Sequence, residues 1–186
     1  MNILETERLT LRELTIDDAP FILELLNDPS FIQYIGDKGV KSVEEASQYI
    51  LTGPIESYQQ YGYGLYLVEL KAIEASIGIC GLVKRSSLPD ADIGFAFLPS
   101  YRSKGYAYEA AVAVMAYGRH SLGLERILGI TLPENSNSIK VLRKIGLRYD
   151  RMMRLANEDR EVMLFTTDTE MPETPLATAR GTDLLN

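Results

Sequence analysis

The chain has 186 residues, 46% of them hydrophobic and 24% charged, which is the size and composition of one globular domain. Its single cysteine excludes an internal disulfide, and its single histidine argues against a zinc site built on histidine pairs. The net charge of −7 argues against a nucleic-acid partner, because such proteins usually carry a strong basic field. No apolar run approaches the roughly 20 residues that span a bilayer, and the first residues lack a signal-peptide core. We therefore expect a cytoplasmic protein with no membrane partner.

Apolar periodicity predicts about seven strands and about four helices. In chain order they are a strand (8–14), two helices (15–29 and 43–58), three strands (63–70, 76–85 and 91–100), a helix (105–119), a strand (126–132), a helix (136–146) and two strands (147–156 and 160–167). The order predicts a single α/β domain with one mixed, mostly antiparallel sheet, in which the strand–helix–strand segment 126–156 favours some parallel pairing. The domain is expected to cover 1–168. Residues 169–186, which have two prolines and little periodicity, are expected to form a tail.

Residues 57–66, SYQQYGYGLY, hold four tyrosines and two glycines. The segment has two interpretations. It is either a loop that leads into the strand over 63–70, or an aromatic rim that receives a substrate.

Residues 101–107, YRSKGYA, place two cations and a glycine where the helix over 105–119 begins. Cations are unfavourable at a helix N-terminus, and glycine costs about 1 kcal/mol inside a helix. The segment is therefore either an ordinary solvent-facing turn or a seat for an anion. Unpaired N–H groups at the helix start, glycine and the side chains of Arg102 and Lys104 suit a diphosphate better than a carboxylate.

The usual nucleotide motifs are missing from the chain. It contains no Gly-x-x-x-x-Gly-Lys-Ser/Thr sequence. Gly62 and Gly64 are followed by Tyr66 and Leu67, where a dinucleotide site needs a third glycine and a helix. These observations disfavour ATP and NAD as ligands.

Three segments resemble one family. RSKGYA is similar to the Arg/Gln-x-x-Gly-x-Gly/Ala motif of the GNAT acetyltransferase superfamily, which cradles the pyrophosphate of acetyl-CoA. ETERLTLRELTIDDA resembles the start of the RimJ/RimL-like branch, whose members acetylate N-terminal amines of ribosomal proteins. PENSNSIKVLRKIGL resembles the late motif of that branch. The three segments occur in family order and cover roughly residues 5–168.

The resemblance implies acetyl-CoA as the cofactor and a sheet that splays between the strands over 91–99 and 126–132. It implies that the strand with Phe97 and Leu98 pairs with the pantetheine arm, and that Asn135 and Ser138 lie by that arm and the thioester sulfur. Asn135 and Ser138 also suit a turn that caps a helix. The backbone amides implied to hold the pyrophosphate are those of Arg102, Ser103, Lys104, Gly105, Tyr106 and Ala107.

In such enzymes a primary amine attacks the thioester directly, so no protein nucleophile is needed. This agrees with Cys80 lying in the apolar run IGICGLV, where we expect a buried thiol. The catalytic candidates are Asp92 and Ser138. Asp92 is either a base that faces the site or a solvent-facing strand residue. Ser138 is the candidate acid because Leu142 stands where many family members have a tyrosine, and leucine cannot protonate a thiolate.

We therefore predict an N-acetyltransferase whose acceptor is a primary amine, either a protein N-terminus or a small molecule, in a protein that is a monomer or a homodimer. A non-catalytic acyl-CoA-binding module of the same fold is the alternative. A nucleotide-phosphate-binding protein is a second alternative.

Overall fold

The computed structural model describes residues 2–155 and 160–167, and within these ranges one mixed sheet carries helices on both faces. In chain order the elements are β1 (Asn2–Glu5), β2 (Leu9–Arg12), α1 (Ala19–Leu26), α2 (Pro29–Tyr34), α3 (Val43–Ile50), α4 (Glu56–Tyr61), β3 (Leu65–Leu70), β4 (Ala75–Val83), β5 (Asp92–Phe97), α5 (Tyr106–His120), β6 (Leu128–Thr131), α6 (Ser136–Lys144), β7 (Arg148–Arg154) and β8 (Glu161–Thr166). The predicted α/β fold with one mixed sheet is confirmed. The predicted tail over 169–186 lies outside the described residues.

The sheet has eight strands in the order β1-β2-β3-β4-β5-β6-β8-β7. Its one parallel pair in the described residues joins β5 to β6, and the helix α5 makes the crossover between them. The prediction that the segment 126–156 contains the parallel pairing was wrong. The hairpin of β7 and β8 folds back so that β8 lies between β6 and β7 and pairs antiparallel with both.

Two predicted helices differ from the observed ones. The segment 15–29 ends at Leu26, and a second helix begins at Pro29, because proline suits the first position of a helix and Asp28 caps its backbone. The predicted helix over 43–58 runs on to Tyr61. It passes through a π-helical turn, Leu51–Ile55, that accommodates Pro54.

The helices lie on the two faces of the sheet. α5 and α6 cover one face, where Ala110, Ala111 and Leu142 join the largest core cluster. α1, α2 and α3 cover the opposite face through a second cluster around Ile22 and Ile50. No helix in the described part of the chain is long and apolar enough to cross a bilayer.

Three of the four tyrosines in the segment 57–66, namely Tyr58, Tyr63 and Tyr66, pack in the main core cluster. The rings of Tyr58 and Tyr66 stack with centroids 5.6 Å apart, and the Tyr58 hydroxyl donates to the Leu65 carbonyl while accepting the Leu14 N–H. Gly62 ends α4 in the left-handed conformation. Tyr61 alone of the four tyrosines is exposed. The structure therefore favours the interpretation of this segment as a turn into a strand.

Candidate active site

The sheet opens between β5 and β6. These strands pair only at Asp92 with Leu128 and at Ile93 with Gly129, and the rest of β5 diverges from β6. The Leu98 N–H donates to the Ile77 carbonyl on the other side, at 3.0 Å. Backbone groups alternate along a strand. Those of Phe95 and Phe97 therefore face the gap, whereas the Leu98 N–H is directed to β4.

The loop after β5 ends in a left-handed turn. Ser103 and Gly105 have φ angles of 60° and 84°, and Gly105 is the N-cap of α5. A side chain is strained at such angles, which explains the glycine. The Glu109 N–H makes the first bond of the helix, to the Gly105 carbonyl, so the N–H groups of Tyr106 and Ala107 have no partner within it. Such a helix start favours an anion.

The Arg102 side chain turns away from this helix start. Its Nε donates to the Phe97 carbonyl at 2.8 Å, one terminal nitrogen donates to Ser30 Oγ at 2.9 Å, and the other contacts Asp28 Oδ1 at 2.5 Å. Asp28 is itself buried. The sequence suggested that the Arg102 side chain contacts a phosphate. In the structure it contacts protein groups instead. Its backbone amide stays in the loop.

Arg8 holds the loop from the opposite side. It donates to the Lys104 carbonyl at 3.1 Å, pairs with Glu109 at 2.6 Å, and lies 4.6 Å above the centre of the Tyr106 ring. Glu109 also accepts bonds from Thr6 and from the Arg8 N–H. Partial burial alone would raise the pKa of Glu109, but these hydrogen bonds hold it below its usual value. The ionised Glu109 therefore has a structural role in the first turn of α5.

The remaining loop residues form the outer wall of the site. Ser103 and Lys104 are exposed, and the Lys104 Nζ lies 5.7 Å from the centre of the Tyr101 ring. Ala107 is half-buried and packs against the main core cluster. Lys104 therefore presents a cation next to the N–H groups at the start of α5.

Asp92 lies one residue before the gap, opposite Leu128 in the first of the two registers in which β5 and β6 pair. Ile93 and Phe97 belong to the cluster under α5, so Asp92, Gly94 and Ala96 face the side of α1–α3. Only 1% of Asp92 is exposed, and its carboxylate accepts from Arg85 Nε at 2.9 Å. Burial raises the pKa of Asp92, and Arg85 opposes that rise. The interpretation as a solvent-facing residue does not describe this geometry.

The late motif forms the start of α6. Asn135 is the N-cap, and its Oδ1 accepts the Ser138 N–H at 3.1 Å. Ser138 is half-buried in the first helical turn. Leu142 is 1% exposed and packs directly over Gly129 of β6, so this position belongs to the core. The helix-capping interpretation of Asn135 is thereby confirmed, while its contact with a cofactor stays a prediction.

Other candidates fall outside this site. Cys80 is fully buried, and burial raises the pKa of its thiol, which makes it the inert core residue that its apolar surroundings predicted. His120 is exposed in the last turn of α5. The sequence offered no signal for Arg8 or Asp28, because each reaches the site through tertiary contacts. Phe95 could have been found, because it lies two residues before Phe97 on the same strand and alternation gives both the same orientation.

Comparison with known proteins identifies the class of protein that this fold and site define. Residues 8–148 match the model of the acetyltransferase (GNAT) domain, and the chain belongs to this family. A Bacillus subtilis protein named as the uncharacterized N-acetyltransferase YnaD is 32% identical over 145 residues, covering 78% of this chain and 82% of its own. The resemblance drawn from the sequence motifs is confirmed, and the protein is an acetyltransferase.

Solved structures share the fold. The GNAT-family acetyltransferase from Bacillus anthracis is 27% identical and superimposes with a TM-score of 0.74 over 91% of this chain and 99% of its own. RimL, a ribosomal L7/L12 alpha-N-protein acetyltransferase solved in complex with coenzyme A, has a TM-score of 0.77 over 91% of this chain and all of its own, at 19% identity. These neighbours share the fold over 91% of this chain.

Proposed function

We propose that this protein transfers the acetyl group of acetyl-CoA to a primary amine. The observation that carries the proposal is the open edge of β5, which leads directly into the N-terminus of α5. An extended amide-containing arm that ends in a diphosphate matches both parts. The arm pairs with the strand edge, and the diphosphate lies at the helix start.

The donor groups of the site fit such a molecule. Phe95 and Phe97 direct backbone groups into the gap, and Gly105 lets the backbone approach a phosphate closely. The Arg102 N–H already donates to the Pro99 carbonyl at 3.2 Å, so we assign the amides of 103–107 and the Lys104 ammonium as the donors for phosphate oxygens. We assign Asn135 and Ser138, at the start of α6 directly after β6, to the opposite side of the gap. Acyl-CoA is therefore the cosubstrate that we assign to the site.

The chemistry follows from the two faces of the sheet. We place the amine on the α1–α3 side of the sheet, because Asp92 faces that side. The amine must be neutral to attack the thioester carbonyl, and Asp92 takes its proton, directly or through a water. A strand N–H in the gap polarises the carbonyl oxygen. We assign to Ser138 the donation of a proton to the departing thiolate, with its hydroxyl proton restored from water.

The acceptor is a primary amine of a protein N-terminus or of a small molecule. RimL is named as an alpha-N-protein acetyltransferase, which corresponds to the first type of acceptor. We further propose that residues 1–168 form the acetyltransferase domain, that 169–186 form a separate tail, that the protein works in the cytoplasm, and that it does so as a monomer or a homodimer.

Two measurements test the proposal. Calorimetry with CoA and with ATP is expected to show tight binding of CoA and weaker or no binding of ATP. Tighter binding of ATP would assign the site to a nucleotide phosphate. A free-thiol release assay with acetyl-CoA across N-terminal peptides and small amines is then expected to identify an acceptor. Binding of CoA without turnover on any amine would instead indicate a non-catalytic acyl-CoA-binding module.

A further inference from the structure

The short helix α2 contributes residues to two apolar clusters, one on the β5 side of the gap and one on the β6 side. Phe31, in its first turn, packs in the cluster that also holds Ala96 and Leu98 at the β5 side. Tyr34, its last residue, packs against a separate cluster contributed by the β6 and β8 side of the sheet. Successive turns of α2 therefore touch both halves of the splayed sheet, on the face where we place the amine.

Both ends of α2 are held by arginines from elsewhere in the chain. At the start, Arg102 contacts Asp28 and Ser30. At the end, Arg160 NH1 donates to the Gln33 carbonyl at 2.9 Å. The first of these arginines belongs to the loop whose amides we assign to the diphosphate.

One oxygen of Asp28, Oδ1, both caps α2 and contacts Arg102. Its Oδ1 accepts the N–H groups of Ser30 and Phe31, both at 3.1 Å, and so caps α2. The same oxygen accepts from Arg102, whose Nε is bonded to the carbonyl at the end of β5. The fork of a guanidinium is needed to reach these acceptors together, and an ammonium presents no such fork. The position of α2 is thereby tied to the loop.

We propose that Arg102 is a positioning residue that couples occupation of the diphosphate loop to the placement of α2 over the transfer site. Donor binding orders the loop, and the Arg102–Asp28 contact transmits that order to the helix that bounds the acceptor side. Coupling of this kind is reciprocal, so acceptor binding also strengthens the hold on the donor. The inference rests on the proposed use of acyl-CoA.

The test is hydrogen exchange of the amides in 29–34, measured with and without saturating CoA, together with calorimetry of CoA binding. In the wild-type chain CoA is expected to slow exchange in α2. Arg102→Gln is expected to bind CoA about tenfold more weakly, because the amides that hold it remain but the loop loses its tether. In this variant α2 is expected to exchange at the same rate with and without CoA.

Three further variants test whether the effect of Arg102→Gln comes from the lost contact with Asp28, from the lost positive charge, or from a change in folding. Asp28→Asn keeps a good helix cap but removes the charged partner of Arg102, so it is expected to abolish the response of α2 while the helix remains. Lys104→Gln removes a cation from the same loop, and is expected to weaken CoA binding while α2 still responds. Arg151→Gln removes an arginine from an exposed ion pair with Asp150 on β7, and is expected to behave like the wild type.

Different failures have different meanings. If CoA does not bind the wild-type chain, the proposed function fails. If CoA binds and exchange in α2 does not change, the coupling is absent. If α2 still responds in Arg102→Gln or in Asp28→Asn, Arg102 contributes to binding in another way and the inference is overturned.

Discussion

The charged residues that surround the loop 101–107 are mostly paired with one another. Arg8 pairs with Glu109 and Arg102 with Asp28, which leaves backbone amides and Lys104 as the groups that face outward. An arginine in a phosphate-binding motif is easily assigned to the phosphate. Here both arginines bond to backbone carbonyls, Arg8 to that of Lys104 and Arg102 to that of Phe97, so they bind protein groups and not the anion.

The buried carboxylate of Asp92 is the residue on which the proposed chemistry most depends. Asp92→Asn is expected to lower kcat by about a hundredfold to ten-thousandfold, the usual contribution of a general base. Because burial raises the pKa of Asp92, the fall of kcat/KM toward acid pH is expected above the ordinary aspartate value of about 3.9. A pH–rate profile of acetyl transfer measures both effects.

Asp90→Asn is the matched control. Asp90 pairs with Arg126 before β5 begins, and so lies outside the gap. Unchanged turnover in Asp92→Asn, or an equal loss in Asp90→Asn, would remove Asp92 from the mechanism.

The lowered pKa of Glu109 predicts how the stability of the protein depends on pH. Its pKa is lowered in the folded chain, so its ion pair stabilises the protein above the unfolded value of about 4.3 and is lost as pH falls through the folded value. Glu109→Gln is expected to lower the free energy of unfolding by about 1 kcal/mol at pH 7. In urea unfolding, the difference in free energy of unfolding between the wild type and Glu109→Gln is expected to be smaller at about pH 3 than at pH 7.

Glu5→Gln serves as the comparison, since Glu5 pairs with Lys71 at an exposed position and such pairs contribute little. A difference for Glu109→Gln that is constant with pH would show that its hydrogen bonds, and not its charge, carry the effect.

At the scale of elements, the start of α5 is the decisive feature. The helix begins at a left-handed glycine, with a left-handed Ser103 two residues earlier. These two left-handed residues, within three positions, precede a helix whose first N–H groups have no intrahelical partner. Strain of this kind persists where the surroundings enforce it, and here Arg8 and Arg102 do so.

Gly105→Ala is expected to cost about 1 kcal/mol of stability, because its φ of 84° strains a side chain. Gly123→Ala is a matched control, with a φ of 67° and open space around the added carbon. Both variants should lose similar stability in thermal unfolding, but only Gly105→Ala should weaken CoA binding in calorimetry. Equal CoA affinity in the two variants would contradict the assignment of the loop to the diphosphate.

At the scale of the whole molecule, the sheet joins a tightly paired half to an open one. β4 and β5 pair over six registers, whereas β5 and β6 pair over two. Glycines 81 and 94 are opposite each other in the paired half. The lack of a side chain at Gly81 lets the chain before β3 approach β4 closely.

Gly81→Ala is expected to destabilise the protein by about 3 kcal/mol, because its new carbon would lie 2.0 Å from the Gly64 carbonyl oxygen, a backbone atom that cannot move freely. Gly94→Ala places the same carbon 3.4 Å from the nearest atom of Leu65, and is expected to be nearly neutral. Chemical denaturation of the two variants checks the difference. Similar losses would mean that the sheet adjusts at Gly81.

Much of the architecture could be predicted from local sequence. Apolar periodicity located the helices α5 and α6 to within a residue or two, since one face of each packs on the sheet. The capping box at Ser42 and Glu45 marked the start of α3. The position of β8 between β6 and β7 could not be predicted, because strand order depends on how the last hairpin folds back and not on its composition.

The sequence alone determined the family, the α/β class and the loop that suits a diphosphate, because motif spacing and turn residues act over a few neighbours in the chain. Only the tertiary structure decided what the side chains do. It directed Arg102 to Asp28 and Arg8 to Glu109, buried Asp92 beside Arg85, and placed residues of α2 in apolar clusters on both sides of the gap. The partners in the first two pairs are more than 70 residues apart, so packing of the whole chain selects them.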